Sequence, residues 1–403
     1  MKRCVVVGTG QRGVNSYIKP IVQGHVSDVA EVVGIYDAVS TRSLLCSADF
    51  GGLPVFYDFD EMLRVTKPDL VIVTTIDATH HEYIIKALKA GIEVISEKPM
   101  TTSRASALEI MKAEEESGHK VRVTFNMRYM KPFMDFKREI MNGAIGEVRH
   151  ADFTWMLDRR HGADYFRRWH RYLCNTNSLL IHKSTHHFDV ISWIMGEKEP
   201  RSVFSHLYLD FYGKNGKYRG ECCHKCEHAK ECPLFFDLGA SDFNRRYYLE
   251  IEESSGYYRD GCVFSEDIDI FDRMALSVTY TDGTTMNYSL NAYSPDEGYK
   301  ITLFGSEGRA EMSHYLSGPF KDDKIVIKII DLNGGVREVE TAMQKGDHGG
   351  ADVTLRDDLF RDSVESDGLC RAASSRAGYL SLAVGDMAVM SNRLGKEVFI
   401  DEL

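Results

Sequence analysis

The sequence predicts an α/β protein of two domains. Three observations carry this. A chain of 403 residues exceeds what one ordinary core organises. Short β-branched runs alternate with helical stretches over residues 1–125. The later strand-like runs alternate too little with helices to form a parallel sheet throughout.

Composition narrows the function classes. Apolar residues at 43% and charged residues at 27% give the balance of a soluble globular protein. A net charge of -11, with both signs mixed along the chain, argues against nucleic acid or an anionic membrane as partner, because each needs a clustered basic surface. Small molecules remain. No apolar run is long enough to span a bilayer, and M-K-R-C-V-V-V-G-T-G leads straight into a strand, so the expected compartment is the cytoplasm. Nine cysteines, an odd count, favour thiols or metal ligands over disulfides.

The first element is a strand at Cys4–Val7, followed by G-T-G-Q-R-G and a helix from about Val14 to Gln23. This is the strand, turn and helix of a Rossmann dinucleotide site. Gly8 permits the tight turn, Gly10 the approach of backbone to a pyrophosphate, and Gly13 close helix–strand packing, with Gln11 and Arg12 completing the loop. The next strand, E-V-V-G-I-Y-D, ends in Asp37, where an acidic residue meets the ribose hydroxyls. Asp37 favours NAD over NADP, and the nearby Arg42 tempers that preference. A strand at Asp69–Thr75, a helix at His80–Ala90 and a strand at Glu93–Ser96 follow. Glu97 and Lys98 sit at a strand's carboxyl end, where open α/β sheets bind ligands. They are expected at the cofactor, together with Thr75 and His80. A helix at about Ser103–Ser117 and the strand K-V-R-V-T-F-N close the first domain, 1–125. The second, 126–403, carries strand-like runs at Glu147–Trp155, Ala275–Thr281, Thr285–Asn291 and Lys324–Ile330, then a helix at about Asp352–Glu365. It is expected to carry the substrate site.

Two clusters stand out in that second domain. L-I-H-K-S-T-H-H-F-D, from Leu180, gathers three histidines, a lysine and an aspartate. On one helix starting near His182, the residues His182, His186 and Asp189 share a face, and Lys183 and His187 the neighbouring one. Such a face suits proton transfer, since an imidazole titrates near neutrality. The other cluster lies in a cysteine-rich insert at about 213–272, where Cys223, Cys226, Cys232 and Cys262 supply the four thiolates of a structural zinc, with Cys222, His224 or His228 as substitutes.

These residues together resemble the Gfo/Idh/MocA family of NAD(P)-dependent oxidoreductases over nearly the whole chain. The resemblance rests on the glycine turn, T-H at Thr79, E-K-P at Glu97, N-M-R-Y-M-K-P from Asn126, I-G-E at Ile145 and H-H-F-D at His186. It continues in F-G-S-E-G-R-A-E from Phe304 and H-G-G-A-D from His348. It implies a C-terminal α/β domain with a large, mostly antiparallel, open-faced sheet used for dimer or tetramer contacts. It also implies that Lys98 holds the reacting hydroxyl and that His186 is the acid/base. His182 and Ser184 stand where the family has aspartate and glycine, a departure at the usual proton relay.

The expected reaction is oxidation of a secondary hydroxyl of a sugar, cyclitol or glycoside by NAD(P). Arg128, Tyr129, Trp169, His170, Arg171 and Lys183 are candidate carbohydrate contacts. Two alternatives stand beside it. One is a redox glycosidase that oxidises, eliminates, hydrates and reduces with catalytic NAD. The other is a non-catalytic regulator that binds NAD and sugar.

Overall fold

The computed structural model describes residues 1–361 and 368–402. The chain forms two compact units, and each is discontinuous. The first comprises Met1–Phe125, Gly220–Gly261 and Asp352–Tyr379; the second comprises Asn126–Arg219, Cys262–Ala351 and Leu380–Leu403. The expected boundary after Phe125 coincides with a unit boundary. The heart of the cysteine insert, however, groups with the dinucleotide-binding half and not with the C-terminal one.

The first unit is built on six parallel strands: β1 (Lys2–Val7), β2 (Ala30–Tyr36), β3 (Val55–Phe56), β4 (Leu70–Val73), β5 (Glu93–Ser96) and β6 (Val121–Val123). Their order is β6-β5-β4-β1-β2-β3, with Ala373–Ser374 added antiparallel at the β6 edge. Strand β1 pairs with both β2 and β4, so the order reverses at its carboxyl end, the crevice where such sheets bind ligands. The run is apolar because the sheet is covered on both faces: Cys4 to Val7 and Val71 to Val73 are fully buried.

The second unit carries β7 (Val148–Asp158), β8 (Pro200–Tyr208), β9 (Arg273–Tyr280), β10 (Thr285–Ser294), β11 (Gly298–Gly305), β12 (Gly308–Tyr315), β13 (Lys324–Asp331) and β14 (Val336–Ala342). They order as β14-β13-β12-β11-β7-β10-β9-β8, with Val398–Phe399 beyond β8, and only the β7–β10 pair is parallel. One face is buried and the other open. Met274, Leu276, Val278 and Tyr280 of β9 point inward, while Arg273, Ala275 and Ser277 are exposed. The open face is laced by polar cross-strand pairs, Ser277 Oγ with Asn287 Oδ1 at 2.9 Å and Ser289 with Thr154 at 3.2 Å.

The helix Thr185–Met195 is buried at every position, its polar residues included. It anchors on the inner sheet face: His187 stacks on Trp155 at 4.1 Å, and Phe188 meets Tyr288 edge-on at 4.8 Å. The helix expected at about Asp352–Glu365 begins at Ala351 and is described to Phe360. The expected continuation to Glu365 lies partly outside the described residues. The twenty-residue helix Ser375–Leu394 and strands β8, β11, β12 and β14 were not anticipated.

Candidate functional site

The glycine turn follows from steric necessity. Gly8 has φ +95°, and a Cβ there would lie 2.7 Å from the Thr74 carbonyl oxygen. A Cβ on Gly13 would come 2.0 Å from the Gly8 carbonyl oxygen. Only glycine lets the helical segment Gln11–Gln23, which passes through a π-helical stretch at Val14–Ile18, seat on the end of β1. Asp37 lies beside this turn. Its Oδ2 accepts from the Thr9 amide at 2.8 Å and the Thr9 hydroxyl at 3.0 Å, and Oδ1 accepts from the Val39 amide at 2.8 Å. Arg42 donates to it at 3.2 Å, so the carboxylate is partly neutralised.

The E-K-P segment is pinned from two sides. Glu97 Oε1 accepts from Arg12 and from the Tyr17 hydroxyl, each at 2.7 Å, and Arg12 also reaches Asp352 at 3.1 Å. Burial alone would raise the Glu97 carboxyl, but the Arg12 charge and these hydrogen bonds outweigh it and hold the group below its ordinary value. His80, buried, sits with Nδ1 2.8 Å from the Pro99 carbonyl and Nε2 3.2 Å from the Thr75 carbonyl. Burial lowers its imidazole even though both carbonyls favour the cation. The Thr75 side chain accepts from Thr79 at 2.8 Å. Glu97 and His80 therefore act through the backbone they position. Lys98 between them is half-buried at the end of β5. Tyr17 and Asp352 were missed in the sequence, since nothing in their local pattern names Glu97 and Arg12 as their partners.

In the second unit the histidine-rich stretch is not one helix. Leu179–His182 ends as a separate turn, and Thr185–Met195 begins after Lys183 and Ser184, so His182, His186 and Asp189 do not share a continuous face. The break has a local cause: the Ser184 amide donates back to the Leu179 carbonyl at 2.8 Å, a five-residue loop that interrupts the regular register. His182 lies in an aromatic group, 4.0 Å from His170, 5.5 Å from Trp169 and 5.6 Å from Tyr165 by ring centroids. This brings together three expected residues and adds Tyr165. His186 opens the buried helix, 9% exposed. His187 is a packing residue, its Nδ1 2.7 Å from the Tyr288 hydroxyl, which in turn donates to Ser184 at 2.9 Å. Lys183 Nζ lies 5.1 Å from the Trp155 ring centre.

Two expected carbohydrate contacts are committed elsewhere. Arg128, 1% exposed, forms a bidentate pair with Asp189 at 2.8 and 2.7 Å and reaches Glu197 at 3.2 Å, so its fork is spent inside the fold. Arg171 donates to Asp267 at 2.9 Å and to the Tyr172 hydroxyl at 2.8 Å, fastening a loop. Tyr129, 2% exposed, is buried core beside Arg128.

The four-thiolate reading is also corrected. Among the described residues Cys223, Cys226, Cys232 and Cys262 do not form a converging group of ligand atoms. Among the described residues the ligand atoms that converge, within 4.8 Å of one another, belong to Cys222, His224 and Asp260. Cys222 Sγ is 3.9 Å from His224 Nε2, and Asp260 Oδ2 lies 2.9 Å from His224 Nδ1. Asp260 Oδ1 is buried with no hydrogen-bond partner, and Glu252 Oε2 is 3.3 Å from His224 Nε2.

Comparison with known proteins agrees with this architecture. Residues 2–125 match an oxidoreductase family's NAD-binding Rossmann fold, and residues 137–400 match that family's C-terminal alpha/beta domain. The chain is 35% identical over 410 residues to YteT of Bacillus subtilis (strain 168), an oxidoreductase candidate whose name gives no substrate, covering 96% of this chain and 95% of that protein. An inositol 2-dehydrogenase of Gluconacetobacter diazotrophicus is 30% identical over 199 residues, which are 47% of this chain and 53% of that protein. Among solved structures, the WlbA dehydrogenase of Bordetella pertussis in complex with NADH and UDP-GlcNAcA shares the fold, with TM-score 0.67 and 18% identity over 99% of this chain and 98% of its own. With both halves matched and a relative aligned nearly end to end, the chain belongs to the Gfo/Idh/MocA family of oxidoreductases.

Proposed function

We propose that the protein is an NAD(P)-dependent oxidoreductase acting on a secondary hydroxyl of a sugar, cyclitol or glycoside. The glycine turn carries this reading: Gly8 and Gly13 let the following helix seat tightly on the end of β1, which suits its N-terminus to a dinucleotide pyrophosphate, and Asp37, held beside the turn by Thr9, is assigned the ribose. The polyol class is supported by the inositol dehydrogenase among the relatives. NAD is preferred over NADP because Asp37 repels a 2'-phosphate, although Arg42 reduces that repulsion.

When bound, the nicotinamide supplies a hydride acceptor. The chain handles the proton. Lys98, flanked by Glu97, which Arg12 holds, and by Pro99, whose carbonyl His80 contacts, is assigned the reacting hydroxyl. His186 takes the departing proton, and His182 with Trp169 forms part of an aromatic surface suited to a pyranose or cyclitol ring. The redox-glycosidase reading is favoured by one observation, the His170–His182 ring pair, which adds proton-active groups that elimination and hydration require. The protein acts in the cytoplasm, and its open sheet face serves self-association, which light scattering on the purified chain would test.

The deciding assay follows NADH absorbance and aglycone release together on polyols, cyclitols and aryl glycosides. NADH accumulation establishes a dehydrogenase; aglycone release on catalytic NAD establishes the glycosidase. Lys98→Met should lower either rate by about a hundred- to ten-thousand-fold while dinucleotide binding persists. Undiminished turnover would remove Lys98 from the chemistry.

A structural zinc belongs to this proposal at Cys222, His224 and Asp260, with Glu252 in reach. The donor set fits: a thiolate, an imidazole and a buried carboxylate with an orphaned oxygen are a usual zinc complement. Elemental analysis of the purified chain should give one zinc, lost in Cys222→Ser and kept in Cys232→Ser. Absence of metal from the purified wild type ends the idea.

A further inference from the structure

The segment Gly220–Gly261 lies in the same compact unit as the glycine turn, and its contacts fall on the residues assigned to the dinucleotide. The Tyr248 hydroxyl accepts the Gln11 amide at 3.1 Å, and a Cβ on Gly10 would stand 3.4 Å from the same oxygen. Tyr248 is 6% exposed. Its ring packs near Arg42, whose guanidinium carbon is 5.3 Å from the ring centre, and Arg42 also contacts Asp37. The segment is fastened one helix further on. Arg246 makes a bidentate pair with Asp49 at 2.9 and 2.6 Å, and the Tyr247 hydroxyl donates to the same carboxylate at 2.9 Å. Asp49 ends the helix Ser40–Asp49 that follows Asp37.

The position of the hydroxyl has a chemical reason. The Gln11 amide belongs to the first turn of its helix and has no partner within it, so it requires an outside acceptor. Without cofactor the phenol oxygen serves. A phosphate oxygen is the stronger acceptor, because the bond becomes charge-assisted. A phenol can donate as well as accept, so when the phosphate takes the Gln11 amide the Tyr248 proton is free to turn toward it.

We propose that Tyr248 is a pyrophosphate-binding residue, and that the insert forms a further wall of the dinucleotide site that slows cofactor release. This rests on the NAD(P) reading above, and the test separates the two.

Equilibrium and stopped-flow fluorescence of NADH with the full chain would compare wild type, Tyr248→Phe and Arg246→Gln. Tyr248→Phe keeps the packed ring and removes only the hydroxyl; it should speed NADH release and weaken ADP binding by about tenfold or more, while adenosine, which lacks phosphate, binds as before. Arg246→Gln, which loosens the clamp on Asp49 without touching Tyr248, should also speed release and covers the case in which the tyrosine variant does not fold. Wild-type release rates in both variants would overturn the proposal. A wild-type protein that binds neither NADH nor NADPH would instead overturn the cofactor reading itself.

Discussion

His80 links the backbone beyond β4 to the backbone beyond β5. The T-H pair drew it into the expected cofactor contacts, and the structure gives both ring nitrogens to the carbonyls of Thr75 and Pro99. Its imidazole is held below the ordinary value of 6.5, chiefly by burial. The unfolded chain therefore binds a proton more readily than the folded one, and stability falls as pH drops from 6.5 through the folded value. Melting temperature against pH should show this loss in the wild type and a shallower slope between pH 6.5 and 5 in His80→Asn. Parallel curves would mean that other groups carry the dependence. The role was legible in part: the residue type and its place after β4 could be read, whereas two carbonyls far apart in sequence could not.

Elements are where the sequence reading most needed tertiary information. The helix Thr185–Met195 was expected from its apolar run, but its start was placed at His182 because helical spacing aligned three ionisable residues. A backbone hydrogen bond to Leu179 broke that alignment, and such a bond leaves no mark in side-chain pattern. Asp189 consequently faces Arg128, which the motif had assigned to substrate. Both are 1% exposed, so each charge depends on the other. Arg128→Ala should destabilise the second unit by about 3–5 kcal/mol in urea denaturation, and Arg128→Met with Asp189→Leu should recover much of it. A loss below about 1 kcal/mol in the single variant would show that water reaches the site. Strands β8, β11, β12 and β14 escaped notice for a related reason. Their alternation is diluted by glycine and charge, and pairing supplied by distant neighbours decides them.

At the scale of the molecule, the glycine turn, the β-branched runs and the family motifs made the parallel sheet legible. The assignment of the insert was not. Gly220–Gly261 is polar and cysteine-rich, and nothing in its composition points to Asp49 or Gln11 as its contacts. The first unit also recruits Asp352 to Arg12 and Asp358 to Arg122, at 3.1 and 2.7 Å. A fragment of residues 1–125 should therefore fold poorly, with a lower melting temperature than the same unit in the full chain and weaker NADH binding, as calorimetry and fluorescence would record. Full-strength binding by that fragment would make the later segments dispensable.

The discontinuity has a consequence for how the protein is made. The ribosome delivers the parallel sheet early, yet the antiparallel strand Ala373–Ser374 that covers its β6 edge is synthesised long after β6. Throughout most of synthesis that edge is an open row of backbone donors and acceptors, a surface on which nascent chains can pair with one another. Yield in the cell is then governed by the time between the emergence of β6 and of residue 379, and slower translation of the second half would lengthen the exposure.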